Sequence, residues 1–551
     1  MRPKYIFVTG GVLSGLGKGI ITSSIGLLLK QQGYSVTAIK IDPYLNYDAG
    51  TMRPTEHGEV WVTDNGGEID QDLGNYERFL GISLGKENNI TSGKIYARVI
   101  EKERKGQYLG QTVQPIPHVT NEIKETIKKI GKQALVDFVL IEIGGTVGDY
   151  ENVLFLEAAR QIKQDESAII IHVAYLPVPS HLGEMKTKPV QRSVKELNNI
   201  GIQPDFIIGR SKKPMDLVRK RKIALFCNVN ENRIISAKDV ENIYEVPILL
   251  ENQRLSEMIL NAFGLNHIPD HEGFKKWKKY IDSIKNFKEE IKIGVIGKYF
   301  DTGDFSLVDS YISVIEAIKH AAWENKVRAK IIWIDSKEYE KNKSKLKELE
   351  KLDGIIVPGG FGKTGVEGKI LAIQYAREHE IPYLGLCYGM QLAIIEFARN
   401  VCRLHNANST EINPRTKHPV ITILEEQIKK IEKSDYGATM RLGAWQAILK
   451  PGTKTYRLYG NKKKVSERHR HRYEVNPDYV PILEKNKLII SGTSPDKFLV
   501  EFIELKDHPF FIATQAHPEF KSGSMRPAPL FNGLIKAAID RKKFSQTKFY
   551  N

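Results

Sequence analysis

The chain of 551 residues is 41% hydrophobic and 27% charged, the balance of a folded globular protein too long for one ordinary core. No apolar run approaches the ~18 residues needed to span a bilayer, the start lacks a signal-type apolar stretch, and Cys227, Cys387 and Cys402 are too few and scattered for a disulfide framework or zinc site. A cytoplasmic protein with reduced thiols is expected. The net charge of +16 raises nucleic acid as a partner, but the lysines interleave with acids, as in KKWKKYIDSIKNFKEEIK, and no zinc-finger or RNP-like pattern occurs. A solvated basic surface is the simpler reading, with no nucleic-acid or membrane partner.

The first apolar run, YIFVTG, leads into GGVLSGLGKGI (10–20), which reads as a phosphate-binding loop with a deviation. A standard loop follows its lysine with Ser or Thr, whose hydroxyl ligates Mg²⁺. Here Gly19 follows Lys18, and five residues rather than four separate Gly11 from Gly17. If a triphosphate binds, its magnesium needs other oxygen ligands. VTAIKI, FVLIEIGG, AIIIHVAYLPV and DFIIGRS follow, separated by amphipathic stretches. Such runs, buried on both faces, predict a mainly parallel sheet in an α/β domain.

The lysine-rich stretch 268–290 has few apolar residues and reads as a surface helix serving as a linker. A second α/β series opens at IKIGVIGKY (291–299) and continues through AKIIWID, GIIVPGG, PYLGLC and FFIATQAHPEF. The expected organisation is therefore residues 1–267, a linker at 268–290, and residues 291–551.

In the second series, IPYLGLCYGMQLAIIEFA reads as a strand running into a helix, with Cys387 at the junction. Gly385-Leu386-Cys387-Tyr388-Gly389 has the Gly-x-nucleophile-x-Gly spacing of a nucleophile elbow, which sets the sulfur at a helix N-terminus. A buried cysteine in an ordinary βα turn would look similar locally. Two more stretches weigh against that. GIIVPGGFG (354–362) ends a strand in a glycine turn able to aim amides at a carbonyl oxygen. QAHPEF places His517 and Glu519 two residues apart, an imidazole to take the thiol proton and a carboxylate to hold its tautomer. In this order the three resemble a class I glutamine amidotransferase, which hydrolyses glutamine to glutamate and ammonia.

An amidotransferase half implies an acceptor for the ammonia. GGVLSGLGKG, KIDPYLN, HGEVWV, DLGNYERF, IEIGGTVGDYE, GEMKTKPVQRSVKEL, KIALFCNV and AKDVENIYEVP, then NANSTEI, MRLG, HRYEVN and QAHPEF, run in order through almost the whole chain. Together they closely resemble the CTP synthase family. The resemblance implies a P-loop-type, Rossmann-like synthetase domain followed by an α/β amidotransferase domain. It also implies ATP-dependent amination of UTP to CTP: ATP phosphorylates O4 of the uracil ring, ammonia attacks C4, and phosphate leaves.

The same resemblance assigns residues. ATP falls on Gly15, Leu16, Gly17, Lys18, Gly19 and Ile20, with Asp72 and an adenine-side segment at Lys238, Asp239 and Val240. Lys18 and Lys40 are the implied catalytic cations, and Asp72 and Glu142 the implied Mg²⁺ ligands. UTP, and CTP as feedback inhibitor, fall on Ser14, Asp149, Tyr150, Glu151, Lys186, Thr187, Lys188, Pro189, Val190, Gln191 and Lys222. Glutamine falls on Gly360, Tyr388, Gly389, Met390, Gln391, Glu411 and Arg472, where Glu411 suits the α-ammonium and Arg472 the α-carboxylate. Pro54, His57 and Val60 match a passage for unprotonated ammonia. Family members are activated by GTP and assemble as tetramers, so a homotetramer is expected.

Two positions depart from the family pattern. Tyr150 replaces a residue that is often isoleucine. In GFGKTGVEG, Thr364 stands where many members carry an arginine tied to the GTP response, with Lys363 before it. A lysine supplies a point charge but no planar fork, so weaker GTP activation is expected. Two other readings stay open: a dethiobiotin- or cobyrinate-type synthetase, opposed by KTKPVQ and HGEVWV, and a non-catalytic paralogue, opposed by the intact catalytic positions.

Overall fold

Strands made of unbroken Ile, Val and Phe must be covered on both faces, which requires helices on each side of a sheet. The computed structural model has this arrangement twice. It describes residues 2–53, 58–181, 183–269, 271–297, 301–302, 305–306, 308–423 and 440–550. The chain divides into two compact units, Met1–Ala49 with Ile69–Lys285, and Gly50–Glu68 with Asn286–Asn551.

The first unit is built on β1 (Lys4–Gly11), β2 (Val36–Asp42), β3 (Asn89–Thr91), β4 (Phe138–Ile143), β5 (Ala168–Tyr175), β6 (Phe206–Ser211) and β7 (Ile234–Lys238). They pair in the order β3-β2-β4-β1-β5-β6-β7, every pairing parallel. Consecutive strands β4 and β5 flank β1, so the strand order reverses at β1, where open α/β sheets form their ligand crevice. Helix α1 (Lys18–Gln31) starts there, directly after the glycine loop. Helices α2 (Asp72–Leu80) and α3 (Lys188–Asn199) also begin beyond the C-terminal ends of strands.

The stretch read as a surface helix serving as a linker does form a helix, but one with a buried face. It holds α4 (Glu272–Ile284), which belongs to the first unit. Trp277, Ile281 and Ile284 recur at helical spacing among the lysines and are buried. The Trp277 indole donates to the Tyr244 carbonyl at 3.1 Å, and its ring lies 6.1 Å from that of Phe79.

The second unit carries β8 (Glu290–Gly297), β9 (Arg328–Asp335), β10 (Gly354–Val357), β11 (Tyr383–Leu386), β12 (Arg441–Leu449), β13 (Lys464–His471), β14 (Leu488–Thr493), β15 (Val500–Leu505) and β16 (Phe511–Thr514). The order is β9-β8-β10-β11-β16-β15-β14-β12-β13. The first five are parallel and the rest join antiparallel. Alternate side chains feed two cores: Ile355, Val357 and Tyr383 one, Ile356, Leu384 and Leu386 the other.

A second difference concerns Gly50–Glu68, which precedes β3 in the chain yet packs in the second unit. Trp61 is fully buried, its ring 4.9 Å from Phe520 and 5.2 Å from the Arg468 guanidinium. Arg468 donates to Asp64 at 2.6 Å, and Arg470 to Glu68 at 2.8 Å. These partners lie some four hundred residues away in sequence, so no local pattern announces them. No helix among the described residues is long and apolar enough to cross a membrane.

Candidate active sites

In the first unit, parallel strands deliver all their C-terminal ends to one edge. Ser14, Gly15, Leu16, Gly17, Lys18, Gly19 and Ile20 follow β1, Glu142 ends β4, and Asp149, Tyr150 and Glu151 come just after. Lys186, Thr187, Lys188, Pro189, Val190 and Gln191 lie between β5 and the first turn of α3; Lys238 ends β7, with Asp239 and Val240 beyond it. The loop turns sharply, with positive φ at Val12, Gly15 and Gly17. Lys18 folds back so that its ammonium donates to the Gly145 carbonyl at 2.9 Å. Burial pulls its pKa down, against the carboxylates around it, Glu142 foremost.

Lys40 is the hub of this site. Its ammonium, buried among acids, pairs with Asp72, with Glu142 at 3.0 Å and more distantly with Asp42 at 3.9 Å. Burial alone would lower its pKa, but Asp72 and Glu142 outweigh burial and hold it well above the usual lysine range. Asp72 is held down mainly by Lys40, against its burial, while burial raises Glu142, which also accepts from the Tyr76 hydroxyl. Burial pushes Asp42 up to about 6 and Asp70 up to about 7. Four carboxyl groups thus face Lys40 and Lys18, oxygen donors of the kind a hard divalent cation takes. Among the described residues no group of three or more His, Cys, Asp or Glu side chains is disposed to hold a metal. Two carboxylates remain, and Mg²⁺ commonly takes one or two, completing its shell with phosphate oxygens and water. Gly19 explains the missing hydroxyl: a Cβ there would overlap the Asp72 carboxylate.

Not every expected nucleotide residue presents its side chain. Leu16 and Val190 are buried, and Lys222 sits exposed on the helix Leu217–Cys227 rather than at a strand end. Lys188, Tyr150 and Asp149 are exposed, and the Gln191 amide donates to Thr187 at 3.0 Å.

In the second unit, Cys387 joins β11 to α5 (Tyr388–Asn400) with φ 47° and ψ −97°, a strained backbone for a residue with a side chain. The elbow spacing has a steric cause. A Cβ on Gly389 would overlap the Val357 carbonyl, and one on Gly385 would come within 2.8 Å of Ala513 Cβ. The Cys387 amide is tied to the Thr514 carbonyl at 2.7 Å, fixing the elbow to β16.

His517 and Glu519 follow β16, and the imidazole Nδ1 meets Glu519 Oε1 at 2.7 Å. Burial would lower the His517 pKa, but Glu519 and Cys387 outweigh it and push it up to about 10. The three residues line a cavity of about 340 Å³ together with Gly360, Gln391, Glu411, Arg472 and Val60. Glu411 accepts from the Gly362 amide at 2.7 Å, which holds the glycine turn against the site. Tyr388, Gly389 and Met390 do not line this cavity. Tyr388 reaches back to the Gly362 carbonyl at 2.7 Å, and Met390 is wholly buried in the core. Pro54 and His57 lie outside the described residues.

Four neighbours were not singled out from sequence: Asp42 and Asp70 at the Lys40 hub, and Arg470 and Gln515 around Cys387. Asp42, Arg470 and Gln515 sit within or directly beside quoted motifs, but motif spacing does not say which way a side chain points.

A lysine-bearing glycine loop at the switch point of one sheet, and a cysteine elbow facing a His–Glu pair on another, define a class I amidotransferase coupled to a phosphate-handling ligase. The family model "CTP synthase N-terminus" matches residues 4–265 and "Glutamine amidotransferase class-I" matches residues 306–537. A CTP synthase of Thermococcus gammatolerans is 54% identical over 98% of this chain and 99% of its own length. That of Methanococcus maripaludis is 55% identical over 98% and 100%, and that of Methanocaldococcus jannaschii 54% over 98% and 99%. The chain belongs to the CTP synthase family and is a glutamine-hydrolysing CTP synthase, a ligase of pyrimidine biosynthesis.

Proposed function

We propose that UTP is aminated at the Lys18–Lys40 site with ammonia released at the Cys387 site. At the glutamine site Cys387 attacks the side-chain amide carbon, while the glycine turn at Gly360 offers amide N–H groups to the developing oxyanion. His517, held protonated beside Glu519, gives its proton to the departing ammonia, and water then releases glutamate from the thioester. Glu411 receives the α-ammonium of glutamine and Arg472 its α-carboxylate.

At the ligase site Lys18 and Lys40 orient and neutralise the ATP phosphates as the γ-phosphoryl group moves to O4 of UTP. Asp72 and Glu142 would hold Mg²⁺, which would supply further charge neutralisation on those phosphates. Lys186, Lys188 and Gln191 receive the UTP triphosphate, and CTP inhibits by taking the same place. GTP activation, a passage for ammonia at Pro54, His57 and Val60, a homotetramer and a cytoplasmic location complete the reading.

The observation that carries it is the single cavity holding the strained Cys387, the His517–Glu519 pair, Glu411 and Arg472. Cys387→Ala should abolish CTP formation from glutamine and leave formation from ammonium salts within about twofold. Loss of both, in a folded variant, refutes the separation of the two sites.

A further inference from the structure

The Cys387 sulfur has a neighbour that the Cys–His–Glu chemistry does not use. Gln515 is fully buried, two residues before His517, and its side-chain amide nitrogen lies 3.6 Å from Cys387 Sγ. An amide side chain can face either way, so the orientation needs its own argument. The Gln391 amide supplies it. Its Nε2 lies 2.8 Å from the Tyr473 carbonyl, which can only accept, so nitrogen must occupy that position. The same nitrogen lies 3.3 Å from Gln515 Oε1. Gln515 therefore accepts with its oxygen and turns its N–H₂ toward the sulfur. The run Tyr473 C=O, Gln391, Gln515, Cys387 Sγ makes the sulfur the acceptor at its end, while the Arg470 carbonyl, 3.8 Å from the sulfur on another side, can accept only from the thiol form. An acceptor position suits a thiolate far better than a thiol, because hydrogen bonds to charged acceptors are the stronger ones.

We propose that Gln515 is a further catalytic residue of the glutamine half-reaction, donating to the Cys387 sulfur so that the thiolate is favoured and aimed into the cavity. Gln391 acts as the positioning residue that sets its orientation. The proposal rests on Cys387 being the nucleophile. Its role differs from that of His517: Gln515 exchanges no proton and stabilises the negative sulfur by a neutral dipole.

The charged groups lining the cavity around the sulfur are His517 and Glu519 after β16, Arg470, His471 and Arg472 at and beyond the end of β13, Glu411 in the loop after α5, and Arg53 and Glu59 in the 50–68 segment. All of them remain in Gln515→Leu, where a change in sulfur reactivity reads the lost donor, whereas Gln515→Glu also sets a carboxylate beside the sulfur. The test uses the full-length enzyme and its Gln515→Leu and Gln515→Glu variants. Gln515→Glu keeps the side-chain shape and removes the donor, which guards against a packing defect in Gln515→Leu. The rate of Cys387 alkylation by iodoacetamide is followed against pH, with Cys387→Ala as the blank, beside glutamine kinetics and ammonia-driven CTP formation. The expected result is an alkylation profile displaced upward by about one pH unit in Gln515→Leu and more in Gln515→Glu. The kcat for glutamine hydrolysis should fall at least tenfold with KM within about threefold, and ammonia-driven synthesis should be retained. An unchanged alkylation profile in either variant that retains ammonia-driven synthesis overturns the proposal. If the parent reading is at fault instead, Cys387→Ala itself retains glutamine-dependent synthesis, so the two failures are distinguishable.

Discussion

Gly19 shows how one residue records a different solution to a common problem. In an ordinary phosphate loop the residue after the lysine brings a hydroxyl to the metal. Here the Asp72 carboxylate fills the space that such a side chain would need. Restoring the usual residue should therefore harm the enzyme. Gly19→Ser should lower both glutamine- and ammonia-driven CTP formation by about 10- to 100-fold, as expected when a positioned charge at a phosphoryl site is displaced. Activity equal to wild type would show that Asp72 can move aside at no cost. Thr364 makes the opposite kind of prediction. It is exposed beside the glycine turn, next to Lys363, and offers no charge to an anionic effector. Thr364→Arg should reduce the GTP concentration needed for half-maximal activation several-fold and leave ammonia-driven synthesis unchanged. A GTP titration that does not move would assign the response to other residues, with Lys363→Ala as the next comparison.

At the scale of elements, α4 is the informative case. Its composition is that of a solvated helix, and only three apolar residues mark a buried face. Those three suffice because Trp277 enters a cluster with Phe79 and Tyr244. Truncating a buried tryptophan typically costs about 3–5 kcal/mol. Trp277→Ala should lower the denaturation midpoint of the first unit by the corresponding amount, measured by urea unfolding with a probe confined to that unit. An unchanged midpoint would mean that α4 is docked too weakly to count as part of the unit. The elbow at Cys387 was legible for a steric reason: Gly385 and Gly389 are small because strand and helix backbones crowd there. Met390 was not legible in the same way. Its place in the motif says nothing of its helical phase, which turns it into the core.

At the scale of the whole molecule, the 50–68 segment matters most. It belongs to the N-terminal half by sequence and to the second unit by packing, and Thr51, Met52, Arg53 and Val60 line the cavity that holds Cys387. In the function proposed above, this segment carries the passage for ammonia. Asp64→Ala removes the carboxylate that receives Arg468 at 2.6 Å and should loosen the segment without touching either set of reacting groups. The expected outcome is a ratio of glutamate formed to CTP formed that rises at least twofold above wild type, with ammonia-driven synthesis unchanged. A ratio that stays at the wild-type value would remove the segment from any role in ammonia transfer.

The sequence by itself determined the two α/β series, the glycine loop, the cysteine elbow and the His–Glu pair. Each is a local pattern whose physics operates within a few residues: burial on both faces of a strand, a tight turn, a helix start. The tertiary structure alone decided what depends on residues far apart in the chain. It set Asp72 into the space beside Gly19, gathered Asp72 and the buried Asp42, Asp70 and Glu142 around Lys40, carried Trp61 to Phe520, and turned the Gln515 amide toward the Cys387 sulfur. The physical reason is the same in each case. Side-chain direction and long-range pairing are fixed by the packing of whole elements against one another, and a hydrogen bond or ion pair across hundreds of residues leaves no periodicity in the sequence to announce it.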